Sequence, residues 1–367
     1  MSRFVCFAVL IGVASSAATA EDGPGLLPED YYRQAKIESV ALSPDGRLLA
    51  YTVVTVDEEK NKRNRAIWMQ PLKNGDPDGE AFQFTSPASS ASSPVWSPDG
   101  SLLSFQSKRG EDENTTWFAR VAAPGGEAFH IEGVDSLPMW SPDGSLIAMV
   151  KEPKDPESAK DGEESSEEKS DEKPAAKKKE RDGWVSPDAV SETLNEKRFD
   201  GRVYTTMRMK SNGTLELLPH VSAKKKRQLF VVDAAGGEAR QLTDLPHNVG
   251  GIAWARDAIL FTADEKEDDE YSTNYTRQIY AISKDGGDVR QLTSGLGSEG
   301  DLAISADLKR LAFLFTEERG AQTDVLVVDI AADGSFAGEP QNFTADCDYH
   351  ASGLDWAGGT RTLRWTT

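Results

Sequence analysis

The sequence predicts an all-β fold, a β-propeller of four-stranded blades, on three grounds: a recurring turn phrase, a recurring strand-hairpin-strand phrase, and a blade-sized spacing between copies. The turn phrase is Trp-Ser-Pro-Asp-Gly at Trp96 to Gly100 and again at Trp140 to Gly144, with Leu42-Ser43-Pro44-Asp45-Gly46 ahead of them. Worn copies follow at Trp254-Ala255-Arg256-Asp257, Ile304-Ser305-Ala306-Asp307 and Trp356-Ala357-Gly358-Gly359. Steps from one copy to the next run from 44 to 54 residues, with a single step of 114 between the third and fourth.

The residue types explain the turn. Proline presets φ at the second position, aspartate tolerates the third and can bond the local backbone, and glycine supplies the exit. A short apolar strand follows each copy: Arg47 to Tyr51, Ser101 to Phe105, Ser145 to Met149, Ala258 to Phe261, Arg310 to Phe313 and Leu363 to Trp365.

The second phrase supplies the rest of each unit. Leu229-Phe230-Val231-Val232-Asp233 runs into Gly236-Gly237-Glu238 and then Arg240-Gln241-Leu242-Thr243. Ile279-Tyr280-Ala281-Ile282 runs into Gly286-Gly287-Asp288 and Arg290-Gln291-Leu292-Thr293. Looser copies are Val325 to Asp329 with Asn342-Phe343-Thr344, Trp117 to Val121 with Gly125-Gly126-Glu127, and Ile67 to Pro71 with Gln83-Phe84-Thr85. Each reads as strand, glycine-containing hairpin, strand. A composition of 38% hydrophobic residues with 31 Gly and 18 Pro in 367 residues suits short strands and turns better than long helices.

Met1 to Ala20 reads as a cleaved export leader: Arg3, an apolar run from Phe4 to Val13, and the small-residue signature Ala18-Thr19-Ala20. That predicts an exported protein, periplasmic or secreted, with no membrane association after cleavage. Cys6 leaves with the leader, so Cys347 is the one thiol of the mature chain and no internal disulfide can form. Losing Arg3 takes the formal charge from -20 to -21, which argues against nucleic-acid binding. The propeller is expected to occupy residues 21–367, about six to seven blades with the last incomplete at the C-terminus.

The long step begins with Lys151 to Asp182, mixed-charge low complexity such as Glu163-Glu164-Ser165-Ser166-Glu167-Glu168 and Lys177-Lys178-Lys179-Glu180-Arg181. Such a stretch buries too little apolar surface to order itself, so residues 151–182 are expected to be a disordered insertion. Trp184 to Leu218 is expected to regain structure, with Lys197 to Tyr204 opening the blade that Leu229 to Thr243 completes, either as an extra strand pair or as a distorted blade.

No residue qualifies as catalytic, cofactor-binding or metal-binding. No serine has glycine both two before and two after it, so the nucleophile elbow is missing. His130, His220, His247 and His350 are scattered without an adjacent serine motif. Asp264 to Glu270 lacks the spacing of a calcium loop, and Cys347-Asp348-Tyr349-His350 lacks further zinc partners. The Gly-Gly pairs at 125, 236 and 286 match no phosphate cradle. Asn114-Thr115-Thr116, Asn212-Gly213-Thr214, Asn274-Tyr275-Thr276 and Asn342-Phe343-Thr344 have the form of glycosylation sequons. Trp96, Trp140, Trp254 and Trp356 hold equivalent places before the turn and are expected to wedge between neighbouring blades.

Taken together, the leader, the Ser-Pro-Asp-Gly repeats, the charged insertion, Arg198-Phe199-Asp200-Gly201 and the Gly-Gly-Glu and Arg-Gln-Leu-Thr phrases resemble the N-terminal propeller of the prolyl oligopeptidase family, in its acylaminoacyl-peptidase and dipeptidyl-aminopeptidase-like branch. The resemblance covers essentially the whole mature chain. It implies a seven- or eight-bladed propeller over an α/β-hydrolase domain with a Ser-Asp-His triad, the propeller admitting peptides and excluding folded proteins. With the hydrolase half expected to be missing from this chain, the reading is a gating domain without a triad or cofactor, whose partner is a peptide substrate when joined to a hydrolase. The alternative is a free-standing interaction propeller resembling periplasmic TolB, although such proteins carry an α/β domain before the propeller and the first repeat here starts at Ala41.

Overall fold

The computed structural model describes residues 30–86, 89–108, 114–121, 127–153, 226–264, 276–318, 320–356 and 362–367. After a single helical turn, α1 (Asp30–Arg33), the strands fall into repeated antiparallel meanders. Blade 1 holds β1 (Lys36–Leu42), β2 (Leu48–Asp57), β3 (Lys62–Lys73) and β5 (Phe82–Gln83), with the two-residue β4 (Asp76–Pro77) folded back on β3. Blade 2 holds β6 (Ser92–Trp96), β7 (Leu102–Ser107) and β8 (Thr115–Arg120), and Phe129 bridges Phe118 in the fourth place. Blade 3 holds β9 (Met139–Trp140), β10 (Leu146–Lys151), β11 (Gln228–Asp233) and β12 (Arg240–Gln241).

Blade 4 holds β13 (Val249–Trp254), β14 (Ala258–Asp264), β15 (Arg277–Ser283) and β16 (Arg290–Gln291). Blade 5 holds β17 (Ser298–Ile304), β18 (Arg310–Thr316), β19 (Thr323–Asp329) and β20 (Gln341–Asn342), joined to blade 4 through one parallel bridge, Arg277 to Ser298. A sixth unit contributes β21 (Ser352–Trp356) and β22 (Leu363–Thr366). First strands of neighbouring blades lie against each other, β1 on β6, β9 on β13, β13 on β17 and β17 on β21, which makes them the inner strands of a propeller.

The turn phrase works as a hydrogen-bond hub. Ser43 Oγ, Ser97 Oγ and Ser141 Oγ each donate to the aspartate two residues on, at 2.7, 2.6 and 2.6 Å, and each accepts the N–H five residues on at 2.9 Å. The closing glycines 46, 100 and 144 have φ of 70, 71 and 72°, a left-handed conformation that glycine adopts without steric cost. The second phrase has an equal logic. Thr85, Thr243, Thr293 and Thr344 each accept through Oγ1 the N–H of Ile67, Leu229, Ile279 and Val325 in the adjoining third strand, at 2.9, 3.0, 2.8 and 2.9 Å. A threonine hydroxyl thus prolongs the ladder where the short fourth strand ends.

Among the described residues five apolar cores alternate with the blades, one at each junction between successive units. Ile67 and Met69 meet Leu103 and Phe105 between blades 1 and 2, and Phe118 meets Ile147, Met149 and Phe230 between blades 2 and 3. Leu229 and Val231 meet Ile252, Trp254 and Phe261 between blades 3 and 4. Leu260 and Ile279 meet Leu311 and Phe313 in the next core, and Ala312, Val325 and Val327 meet Trp356 in the last. Successive residues of one strand feed opposite junctions, as Ile147 and Met149 do against Ala148. This two-sided burial explains the unbroken apolar runs of the middle strands. On blade 1, by contrast, Ile37, Val40 and Leu42 are exposed.

The stretch Leu229 to Thr243 completes the third blade, correcting the expectation that it finishes a blade opened near Lys197. Strand β11 pairs directly with β10 from Leu146 opposite Asp233 to Lys151 opposite Gln228. The 114-residue step is therefore one ordinary step with a long connection between second and third strands. The leader, residues 154–182 of the charged insertion, Trp184 to Leu218, residues 265–270 of the acidic run and residues 357–359 of the last turn copy lie outside the described residues.

Antiparallel alternation assigns each connection to a face. The Ser-Pro-Asp-Gly turns and the Gly-Gly hairpins leave from one face, here called the turn face, and the other two kinds of connection, including the long one, leave from the opposite face.

Candidate functional site

Among the copies of the turn phrase that the structure describes in full, two break its rules, and both breaks face one cavity on the turn face. In blade 4, Trp254 pairs with Ile259, whereas Trp96 pairs with Leu103 and Ile304 with Leu311, so the turn is two residues shorter. Ala255 stands in the place of the hub serine, and the short loop closes through its N–H on the Ala258 carbonyl at 2.9 Å. Arg256 and Asp257 occupy the two corners. In blade 5 the hub survives, with Ser305 Oγ donating to Asp307 at 2.7 Å, but Leu308 stands where the earlier copies have glycine, at φ 58°. A leucine held there is strained.

The shortened turn leaves a hollow that its neighbours wall. A cavity of about 470 Å³ is lined by Arg256, Leu308, Lys309, Arg310, Asp329 and Ile330, among others. A second, of about 180 Å³, shares Arg256 and Leu308 and reaches Trp254, Lys284 and the Ser141 to Leu146 turn of blade 3. The roof comes from the blade 5 hairpin, whose Ala332 carbonyl accepts the Asp257 N–H at 2.9 Å. Gly334 in that hairpin has φ 79°, and a Cβ there would stand 2.9 Å from Leu260 Cδ1, so only glycine lets it lie this close to blade 4.

The charges do not balance. Asp329 pairs with Arg310 at 3.3 Å, and Asp307 accepts from Ser305 and from the Lys309 N–H. Among the described residues, Arg256 and Lys309 make no ion pair. The surrounding aspartates are held firmly ionised: hydrogen bonds from Ser141 and from Ser145 keep Asp143 down at about 2, and those from Ser335 do the same for Asp333. Two arginines stitch this face together. Arg240 donates to the Asp285 and Lys284 carbonyls of the next hairpin, at 2.8 and 2.9 Å, and Arg290 donates to the Asp333 carboxylate and carbonyl of the hairpin after it.

The residues weighed in the sequence lie elsewhere. His130 Nδ1 bonds the Thr116 carbonyl at 2.8 Å, and its ring packs at a tilt of 44° against Trp117. His350 Nδ1 accepts the Thr323 N–H at 3.2 Å, and the His247 carbonyl accepts from Gln228; His220 is outside the described residues. Cys347 is exposed, and its carbonyl accepts from Gln322. Among the described residues no three His, Cys, Asp or Glu side chains gather in a way that could hold a metal ion.

Three of the four tryptophans clamp their blades. The indole N–H of Trp96, Trp254 and Trp356 donates to the carbonyl of Ala41, Met139 and Ala303 on the preceding inner strand, at 3.0, 3.0 and 3.1 Å. Trp140 departs from the set: among the described residues its buried Nε1 has no partner, and the equivalent Val95 carbonyl accepts from Ser104 Oγ at 3.0 Å instead. Its ring packs edge-on against Phe118 instead. Sequence reasoning misses the cavity, although its signal is present as a turn copy short by two residues and a leucine in a glycine position.

No family model matches the chain. A stretch of 106 residues is 32% identical to dipeptidyl-peptidase 5 of Porphyromonas gingivalis, covering 28% of this chain and 15% of that protein. The structure is similar to an acylaminoacyl peptidase of Pyrococcus horikoshii, with a TM-score of 0.54 and 14% identity over 90% of this chain and 42% of that one. It is also similar to the β-propeller domain of the Trilobed protease of Pyrococcus furiosus, described as having an open velcro topology, with a TM-score of 0.50 and 13% identity over 89% and 77% of the two chains. The chain spans less than half the length of the acylaminoacyl peptidase it matches. In fold it is a β-propeller, the class the repeats predict.

Proposed function

We propose that this chain is the substrate-gating propeller of an exported serine peptidase of the prolyl oligopeptidase type, acting on short peptides when joined to a hydrolase domain and not hydrolytic by itself. The observation that carries the reading is a β-propeller in which a stretch of 106 residues is 32% identical to a dipeptidyl-peptidase. The Met1 to Ala20 pattern supports export, and no helix among the described residues is long and apolar enough to cross a membrane.

The reading is tested by expressing the full chain in a Gram-negative host, sequencing its N-terminus and assaying it on acylated-amino-acid and dipeptide reporters. The expected result is processing after Ala20, recovery from the periplasm, binding of short peptides and no reporter hydrolysis. An unprocessed cytosolic chain would overturn export, and turnover by the purified protein would overturn the division of labour.

A further inference from the structure

The geometry points to the turn-face cavity between blades 4 and 5 as a binding site for a single carboxylate on a small aliphatic frame, with Arg256 as its principal anchor. Two independent departures from the repeat meet there: the shortened turn that presents Arg256 and the left-handed Leu308. Local rules broken without a folding benefit mark functional places. Leu308 lines both adjoining cavities together with Arg256, so the strained residue supplies an apolar wall beside the guanidinium.

The chemistry of the lining selects the ligand. Arg256 and Lys309 bring positive charge that makes no ion pair among the described residues, in a protein whose formal charge is -20. A guanidinium offers a planar fork that matches a carboxylate in two parallel hydrogen bonds. Asp307 and Asp329 on the same wall favour a singly charged group over a phosphate dianion, since like charges at that range repel. Leu308, Ile330 and Ala332 then suit the aliphatic carbons of a small residue.

If the peptide reading above holds, the carboxylate belongs to a peptide, either its C-terminus or an Asp or Glu side chain. The test titrates the full chain, by calorimetry at low salt, with N-acetyl-Ala-Ala-Ala as free acid, the same peptide as amide, N-acetyl-Ala-Glu-Ala amide, and butyrate. The acid peptide or the Glu peptide is expected to bind while the uncharged amide does not. Arg256→Ala is expected to weaken that binding about tenfold or more, Arg256→Lys to recover part of it, and neither to shift the thermal midpoint, since the Arg256 side chain makes no hydrogen bond or ion pair among the described residues.

Binding of the uncharged amide as tightly as the acid, Arg256→Ala binding like the parent protein, or no carboxylate binding at millimolar concentration each overturns the site. Arg256-dependent capture of butyrate without capture of either peptide upholds the carboxylate site and removes the peptide reading. Peptide binding indifferent to charge and to Arg256 does the reverse.

Discussion

Single residues carry this fold where the repeat lets them act in series. Trp254 and Trp140 hold the same place in the turn phrase, yet one donates to the Met139 carbonyl and the other has no acceptor. Trp254→Phe therefore orphans a carbonyl and is expected to cost about 1 to 2 kcal/mol in denaturant unfolding. Trp140→Phe removes a donor already without a partner and should be close to neutral; equal losses would show that the indole bond contributes nothing. Leu308→Gly should raise stability by about 1 kcal/mol, because it relieves a left-handed leucine, and a loss would show that its packing outweighs its strain.

The hub aspartates give the fold an acid limit. Hydrogen bonding from Ser141 and Ser145 holds Asp143 at about 2 against an ordinary 3.8, so the unfolded chain binds the proton more tightly than the native one. Stability from that bond is complete above 3.8 and drains as pH falls towards 2. Asp143→Asn should accordingly have a lower thermal midpoint at neutral pH and a shallower fall between pH 4 and 2 than the parent protein, and parallel curves would refute the assignment.

At the scale of the element, the inner strands share a device that composition hides. Register slips between Ile37 and Val40, Ser92 and Val95, Val249 and Ile252, Gly300 and Ala303, and Ser352 and Asp355, a bulge at the same place in five units. Ser93 and Asp301 take positive φ there, at 55 and 41°, with Gly353 at 60°. Bulges bend and twist the strand that bears them, and the sequence signals them only as a small or polar residue in an apolar strand. The third blade yields the sharpest element-scale expectation. Since β10 and β11 remain paired out to Lys151 and Gln228, replacing residues 154–225 by Asn-Gly should leave a folded protein, because loop length enters stability only logarithmically. Circular dichroism and a thermal midpoint within a few degrees of the parent's would agree, and failure to fold would show that the excised segment contributes to a core.

At the scale of the whole molecule, stability comes from junctions between blades more than from any central core, since each of the five clusters joins one blade to the next. The sequence by itself determined the all-β class, the blade repeat and the turn chemistry, because Pro, Asp and Gly act on φ and on bonds within five residues, and such effects need no tertiary context. Only the tertiary structure decided that Leu229 to Thr243 belongs to the blade begun at Met139, since pairing across an insertion leaves no local mark. It likewise decided which tryptophans find an acceptor, because that depends on what Ser104 does one blade away. The cavity around Arg256 is of the same kind: a shortened turn and a misplaced leucine are 52 residues apart in the chain, and only the stacking of successive blades brings them to face each other.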